Sequence, residues 1–191
     1  MILGKTLGSP KQGMSYLSFF RRNPSSTSTG VPQVSVLMVC MANYCRSPMA
    51  EGMLRGELLE RGLSEYIRVD SAGTHVSRKG QRPDIRAQQV VLPAGVDIAR
   101  LRSRSIQPAD FVEFDYILVM DEGNYQSVVQ LCPGEYHHKL AMIMTFAPQA
   151  GVTEVPDPYY SNKAGFQQVY TFLEQAISGL VESIKNTHGL L

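Results

Sequence analysis

Cys40-Met41-Ala42-Asn43-Tyr44-Cys45-Arg46-Ser47 puts a thiol and a guanidinium six positions apart in one short octet. A tight loop of that length lets both groups address a single phosphate. The thiolate is the attacking form of cysteine, and positive potential favours it. A planar guanidinium holds two phosphate oxygens at once, which an ammonium cannot do. The chemistry on offer is phosphoryl transfer through a covalent cysteine, with Cys40 as nucleophile and Arg46 as clamp. Such transfer needs mainly positioning and charge stabilisation at the equatorial oxygens. Inward-turned N–H groups of Met41 to Ser47 plus Arg46 supply that with no metal and no cofactor. Ser47 can hydrogen-bond the thiolate and help it leave. Asn43 suits a left-handed turn and can brace the loop through its amide. Cys-x5-Arg alone is a short pattern that chance produces readily, so its flanks decide its value.

Cleaving a phosphate monoester also requires a proton for the leaving oxygen. The best donor is Asp157 in Val155-Pro156-Asp157-Pro158-Tyr159-Tyr160. Its flanking prolines stiffen the segment and favour an exposed loop. Tyr159 and Tyr160 offer a wall for a flat substrate. Taken alone, Asp-Pro followed by aromatics reads more simply as a turn.

The elements around the octet can position it. Val34 to Val39 is an almost unbroken apolar run, as expected of a central parallel strand covered on both faces. Pro48 stands where a helix would start, and Met49, Met53, Leu54, Leu58 and Leu59 follow at helical spacing up to Gly62. A loop between strand end and helix start is a natural anion nest. Tyr66 to Ser71 reads as a second strand with Ala72-Gly73-Thr74 as its exit turn. Asp84 caps a helix through Val91, which Pro93 and Gly95 end. Asp115 to Met120 is a third strand, Asp121 opens a helix through Leu131, and Leu140 to Met144 is a fourth strand. Phe166, Val169, Tyr170, Leu173, Ala176, Ile177, Leu180, Val181 and Ile184 mark one face of an amphipathic helix. Alternating strands and helices predict an α/β sandwich around a parallel sheet, with ligands at the carboxyl ends of its strands. Cys40 falls at such an end.

At 191 residues the chain fits one domain with a sizeable core. A net charge of +1 gives no reason to expect nucleic acid as a partner. No apolar stretch approaches the roughly 20 residues of a membrane span, so a soluble protein without a membrane partner is expected. Three cysteines make a poor disulfide framework and suit a reducing, cytoplasmic setting. No Cys/His group has metal-ligand spacing, and His137-His138 reads as solvated surface. Residues 1–32 contain Lys5, Lys11, Arg21 and Arg22 and no acid, and Asn23 to Gly30 is too polar to fold alone. They read as a disordered extension, the alternatives being a transit peptide or a true start at Met14. The catalytic domain is expected over 33–187.

Together these residues resemble the low-molecular-weight protein tyrosine phosphatases. That family's Cys-x-x-Asn-x-Cys-Arg-Ser-Pro and Asp-Pro-Tyr-Tyr patterns both stand here in order. Asp70-Ser71-Ala72-Gly73-Thr74, Asp84-x-Arg86, Asp110-Phe111, Phe114-Asp115 and Met120-Asp121-x-x-Asn124 also match family landmarks, and the resemblance covers about 34–185. It implies a three-layer α/β sandwich with a four-stranded parallel sheet flanked by helices. It also implies hydrolysis of phosphotyrosine and small aryl phosphates through a phosphocysteine that water then opens. By position, Cys40 is nucleophile, Arg46 phosphate clamp and Asp157 acid then base. Asn43, Ser47 and Ser71 brace the loop, and Tyr159 and Tyr160 face substrate. Cys45 resembles the family's second loop thiol, which forms a reversible disulfide with the nucleophile under peroxide; from residue type alone it reads equally as a small filler. The implied partner is a phosphotyrosyl protein or peptide, in bacteria often a tyrosine kinase. The protein would be a monomer or weak dimer.

The sequence departs from the family at a few positions. Ala42 replaces a frequent Gly, at roughly 1 kcal/mol if that backbone has positive φ. Tyr44 stands where a small aliphatic residue is usual and is expected to reshape the pocket mouth. His75, Ser77, Arg78 and Lys79 replace an aromatic wall, and the two cations could favour acidic phosphopeptides, the plainer reading being a solvated loop. A thiol-dependent arsenate reductase on the same fold needs further cysteines near the nucleophile, and only Cys132 remains. A phosphoarginine phosphatase usually carries Thr in place of Tyr44. A phosphoprotein-binding module would need neither nucleophile nor acid.

Overall fold

A computed structural model describes residues 33–190. The readings of residues 1–32 lie outside the described residues. Nine principal elements follow in order: β1 (Val34–Cys40), α1 (Arg46–Glu60), β2 (Ile67–Gly73), α2 (Ile85–Val91), α3 (Pro108–Glu113), β3 (Tyr116–Val119), α4 (Glu122–Leu131), β4 (Leu140–Met142) and α5 (Lys163–His188). The four strands form one parallel sheet in the order β2-β1-β3-β4. All seven residues of β1 are buried, as its continuous apolar run requires of a strand covered on both faces.

Side-chain alternation divides the core into two layers. Val34, Val36 and Met38 of β1 pack with α1, α2 and α5, while Leu37 and Val39 pack with Phe111, Phe114 and Val128 on the opposite face. The thicker layer rests on α5, whose Phe166, Val169, Leu173, Ala176, Ile177, Leu180, Val181 and Ile184 are all buried. Truncating a side chain such as Leu173 to Ala would cost roughly 2–5 kcal/mol.

The chain leaves β1 for β2 on one side and later returns to place β3 on the other side of β1. Helices then lie on opposite faces at the carboxyl end of β1, and the crevice between them is where doubly wound sheets bind ligands. The loop after Cys40 fills that crevice.

Several boundaries differ from those expected. Ala72 and Gly73 belong to β2 rather than to its exit turn, because parallel pairing with β1 continues to Cys40 opposite Gly73. β4 stops at Met142, and Ile143–Phe146 turns into a 3-10 helix packed beneath α5. Helix α1 begins at Arg46, two residues before Pro48; the third helical N–H also lacks an intrahelical acceptor, so proline is tolerated there too. The short α3 carried no apolar periodicity and escaped the sequence; Asp110 fixes its start by accepting the Gln107 N–H at 2.7 Å.

Candidate active site

The loop from Met41 to Cys45 runs from the end of β1 into the start of α1. Its two ends sit on different supports. The N–H groups of Thr74 and His75 donate to Cys40 O and Met41 O at 2.9 and 2.7 Å, while Asp84 N–H donates to Tyr44 O at 2.9 Å. Gly73 comes so close beneath the loop that a Cβ there would stand 2.7 Å from Met41 O and 2.8 Å from Asn43 N. Only glycine permits that approach.

Asn43 is the loop's internal brace. It is the sole non-glycine residue with positive φ among the described residues, at 51°, a region that asparagine tolerates better than most residues. Its Nδ2 donates to Ser47 Oγ at 2.9 Å and to Ser71 Oγ at 2.8 Å, and its Oδ1 accepts from Arg104 N at 2.9 Å. The Ser71 hydroxyl in turn donates to Glu51 Oε2 at 2.6 Å. The strain expected at Ala42 therefore does not arise, because the left-handed residue is the one that follows it.

Cys40 is buried, and its sulfur lies 3.0 Å from Ser47 Oγ. Arg46 is fully buried. Its guanidinium donates to Asp121, to Val155 O at 3.0 Å and to Asp157 Oδ2 at 2.8 Å. Burial alone would draw this guanidinium down; Cys40, Asp121 and Asp157 outweigh it and hold the group above its ordinary value. It stays cationic whenever phosphate is present. Asp157 projects from the segment between Val155 and Tyr159, and its other oxygen accepts Tyr159 N–H at 3.0 Å.

A cavity of about 590 Å³ opens over these groups, lined by Cys40, Arg46, Asp157, Tyr44, Tyr159 and Tyr160 among others. The Tyr44 and Tyr159 ring centres are 6.3 Å apart. Tyr44 thus narrows the mouth, as its type suggested. Arg78 joins the opposite wall with Ser77 and Gln81, whereas Lys79 lies outside it. Ser103 holds that wall by donating to Arg78 O at 2.8 Å and accepting from Gln81 N at 3.0 Å.

Cys40, Asn43, Cys45, Arg46, Ser47, Ser71, Asp157, Tyr159 and Tyr160 converge here as the sequence suggested, Lys79 and Cys132 do not, and several partners were not foreseen. Asp121 was legible as a helix cap, which it is, accepting Asn124 N–H at 2.7 Å; its second oxygen fixes Arg46. Glu51, Arg104 and Asp84 also carry weight. The Arg104 guanidinium binds Asp70 and Asp110, which fixes the backbone N–H that holds Asn43. Arg86, paired with Asp84, reaches Ser161 O at 3.0 Å and so links the phosphate loop to the acid's segment. Asp84 was legible as a helix cap, and Asp84-x-Arg86, Asp70 and Asp110 as family landmarks, whereas neither Glu51 nor Arg104 was singled out in the sequence.

Residues 35–189 match the family model described as low molecular weight phosphotyrosine protein phosphatase. The chain belongs to that family. A Synechocystis protein bearing the family's name is 41% identical over 152 residues, 79% of this chain and 96% of that protein. The human low molecular weight phosphotyrosine protein phosphatase is 36% identical over 156 residues, covering 74% of this chain and 95% of that protein. The crystal structure of a protein tyrosine phosphatase from Entamoeba histolytica with Hepes in its active site superposes with a TM-score of 0.77 at 37% identity. That match covers 83% of this chain and 99% of that one. The four-stranded parallel sheet with helices on both faces is thus the fold of low molecular weight phosphatases, whose chemistry depends on a cysteine.

Proposed function

We propose that this low molecular weight phosphatase hydrolyses phosphotyrosine in proteins or peptides, through a phosphocysteine at Cys40. The observation that carries the reading is the meeting of Cys40, Arg46 and Asp157 in one cavity that Tyr44, Tyr159 and Tyr160 also line. The Cys40 thiolate attacks phosphorus while the Arg46 fork and the loop N–H groups hold the non-bridging oxygens. Asp157 gives its proton to the departing phenolate. Water then attacks the phosphocysteine, Asp157 takes the proton from that water, and the Cys40 thiolate leaves against the Ser47 hydroxyl. Tyr44, Tyr159 and Tyr160 accommodate the aryl ring.

The arsenate reductase alternative fits less well. Cys132 packs in the layer on the opposite face of the sheet from Cys40, so it is not placed to relay a disulfide. The same reading includes a redox role for Cys45, a catalytic unit over 33–187, a phosphotyrosyl partner such as a tyrosine kinase, a monomeric or weakly dimeric state and a cytoplasmic location. No helix among the described residues is long and apolar enough to cross a membrane.

Hydrolysis of a chromogenic aryl phosphate tests the reading. Turnover is expected at mildly acidic pH, inhibited by vanadate, insensitive to chelator and abolished in Cys40→Ser. In Asp157→Ala, phosphotyrosine turnover should fall by about 10²–10⁴, and p-nitrophenyl phosphate, with its better leaving group, should lose less. No turnover by the unmutated protein, or full turnover by Cys40→Ser, would overturn it.

A further inference from the structure

The segment that carries Asp157 is held at its two ends. At one end Val155 is fully buried, and its N–H donates to Met120 O at 2.8 Å. At the other, Ser161 O accepts from Arg86 Nη1 at 3.0 Å, two residues before α5 begins. Among the described residues, no backbone group of Pro156 to Tyr160 bonds outside the stretch 155–161. We propose that Arg86 is a positioning residue for acid catalysis: through Ser161 O and the Tyr159 ring it fixes where the Asp157 carboxyl meets the leaving oxygen. This rests on the phosphatase reading above and adds a residue to its first step.

Every nitrogen of the Arg86 guanidinium is in use. Nε and Nη2 donate to the two oxygens of Asp84 at 3.0 and 2.8 Å, and Nη1 donates to Ser161 O. The fork is planar and rigid, so Asp84 aims its bond to Ser161. Asp84 is buried, caps α2 by accepting Arg86 N–H at 2.8 Å, and donates its own N–H to Tyr44 O at 2.9 Å. A chain of hydrogen bonds thus runs from the phosphate loop at Tyr44, through Asp84 and Arg86, to the exit of the acid's segment. Phosphate cradle and proton donor share one support. The guanidinium carbon also lies 4.6 Å from the centre of the buried Phe166 ring and 5.8 Å from that of Tyr159. A cation over a ring face attracts it, so the Tyr159 ring, which lines the cavity, is held by the same group.

The reaction makes this support necessary. In the free protein Asp157 Oδ2 accepts from Arg46 Nη2 at 2.8 Å, a bond that owes its strength to charge on both partners. To act as acid Asp157 must be protonated, and the neutral carboxyl holds Arg46 less strongly. The guanidinium then serves the phosphate oxygens, and the place of Asp157 rests on its backbone and so on the two anchors. In the step itself the bond between Cys40 sulfur and phosphorus forms, the bond from phosphorus to the phenolic oxygen breaks, and the Asp157 proton passes to that oxygen. A general acid must stand within about 2.6–3.2 Å of the atom it protonates. A misplacement of about 1 Å therefore forfeits much of its effect.

The test compares two aryl phosphates on the whole protein: p-nitrophenyl phosphate and phenyl phosphate, whose leaving phenol has a pKa of about 10, as tyrosine does. Nitrophenolate leaves readily without a proton, and phenolate does not. In Arg86→Gln, kcat/KM should fall ~10–30-fold for phenyl phosphate and about threefold or less for p-nitrophenyl phosphate, part of the roughly 10²–10⁴ that a whole general acid contributes. Because the readout is a ratio between substrates on one enzyme, loss of folded protein cancels. In an Asp157→Ala background, adding Arg86→Gln should change that ratio by about twofold or less, since the acid it positions is gone. Arg86→Lys keeps a cation beside Phe166 and one bond to Asp84 but cannot reach Ser161 O as well. It should show the same selective loss, and it replaces the Gln variant if that one does not fold. Equal losses on both substrates, or a selective loss undiminished in the Asp157→Ala background, would overturn the role of Arg86. No turnover of either substrate by the unmutated protein would overturn the phosphatase reading, and this role with it.

Discussion

The Ser47 hydroxyl stands 3.0 Å from the Cys40 sulfur while accepting a 2.9 Å hydrogen bond from Asn43 Nδ2. With that lone pair occupied, its proton is free to turn to the sulfur, the alternative acceptor being Ala72 O at 3.3 Å. Ser47→Ala should therefore lower kcat by roughly 10–100-fold, the worth of one hydrogen bond to a charged group. The loss should fall on thiolate departure, so phosphoenzyme accumulates. Rapid-quench detection of a phosphocysteine burst checks this, and a lower kcat with no burst would place the effect on the first step instead.

Asn43 does two separable things: it occupies φ 51° and makes three side-chain hydrogen bonds. Asn43→Gly keeps the first and loses the second, whereas Asn43→Ala loses both. Activity should fall strongly in both, while Ala should be less stable than Gly by about 1 kcal/mol. Urea denaturation read beside aryl phosphate kinetics distinguishes the two. Equal stability would mean that the loop relaxes out of the left-handed region.

Arg46 is aimed by Asp121 from the end of β3. Asp121→Asn keeps a capping oxygen for α4 but removes the charge, and kcat/KM should drop about tenfold on weakening one charge-assisted bond. Arg46→Lys should cost considerably more, because a single ammonium cannot span two phosphate oxygens. An unaltered Asp121→Asn enzyme would leave the aim to Val155 O and Asp157.

Burial pushes the Glu51 carboxyl above the usual carboxylate range, against Ser71 and Arg55, which draw it down. The folded protein then holds this proton to higher pH than the unfolded chain does. Stability from this group is thus present at low pH and lost as pH rises above about 4.3, the ordinary glutamate value, through the folded one. Glu51→Gln, which keeps an acceptor for Ser71, should remove that part of the slope. Urea midpoints across the acid-to-neutral range would show it, and parallel curves would count against it.

Cys45 is pushed up by burial first and then by Asp84 and Cys40, so it stays a thiol at neutral pH. Iodoacetamide near pH 7 should label Cys40 and spare Cys45, as peptide mass mapping would report. After brief peroxide, the Cys40 sulfenic acid can condense with the Cys45 thiol, releasing water. Dithiothreitol should then restore the unmutated protein more fully than Cys45→Ser. Equal recovery would leave Cys45 as a filler of the loop.

What the sequence determined by itself was local and periodic. The apolar run of β1, the octet that follows, the caps at Asp84 and Asp121 and the stripe of α5 each depend on neighbours within a few turns, and all were legible. Asp157 could be paired with Cys40 only through its Pro-framed setting and the family's order of motifs. Other features needed the tertiary structure. Arg46 meets Asp121 across 75 positions, and Arg104 meets Asn43 across 61; no period or spacing encodes such contacts. They exist because β1 lies between β2 and β3, which brings three strand ends under one loop. The same stacking made Asn43 rather than Ala42 the left-handed residue. Short-range preference set the elements, and the order of strands in the sheet decided which charges meet.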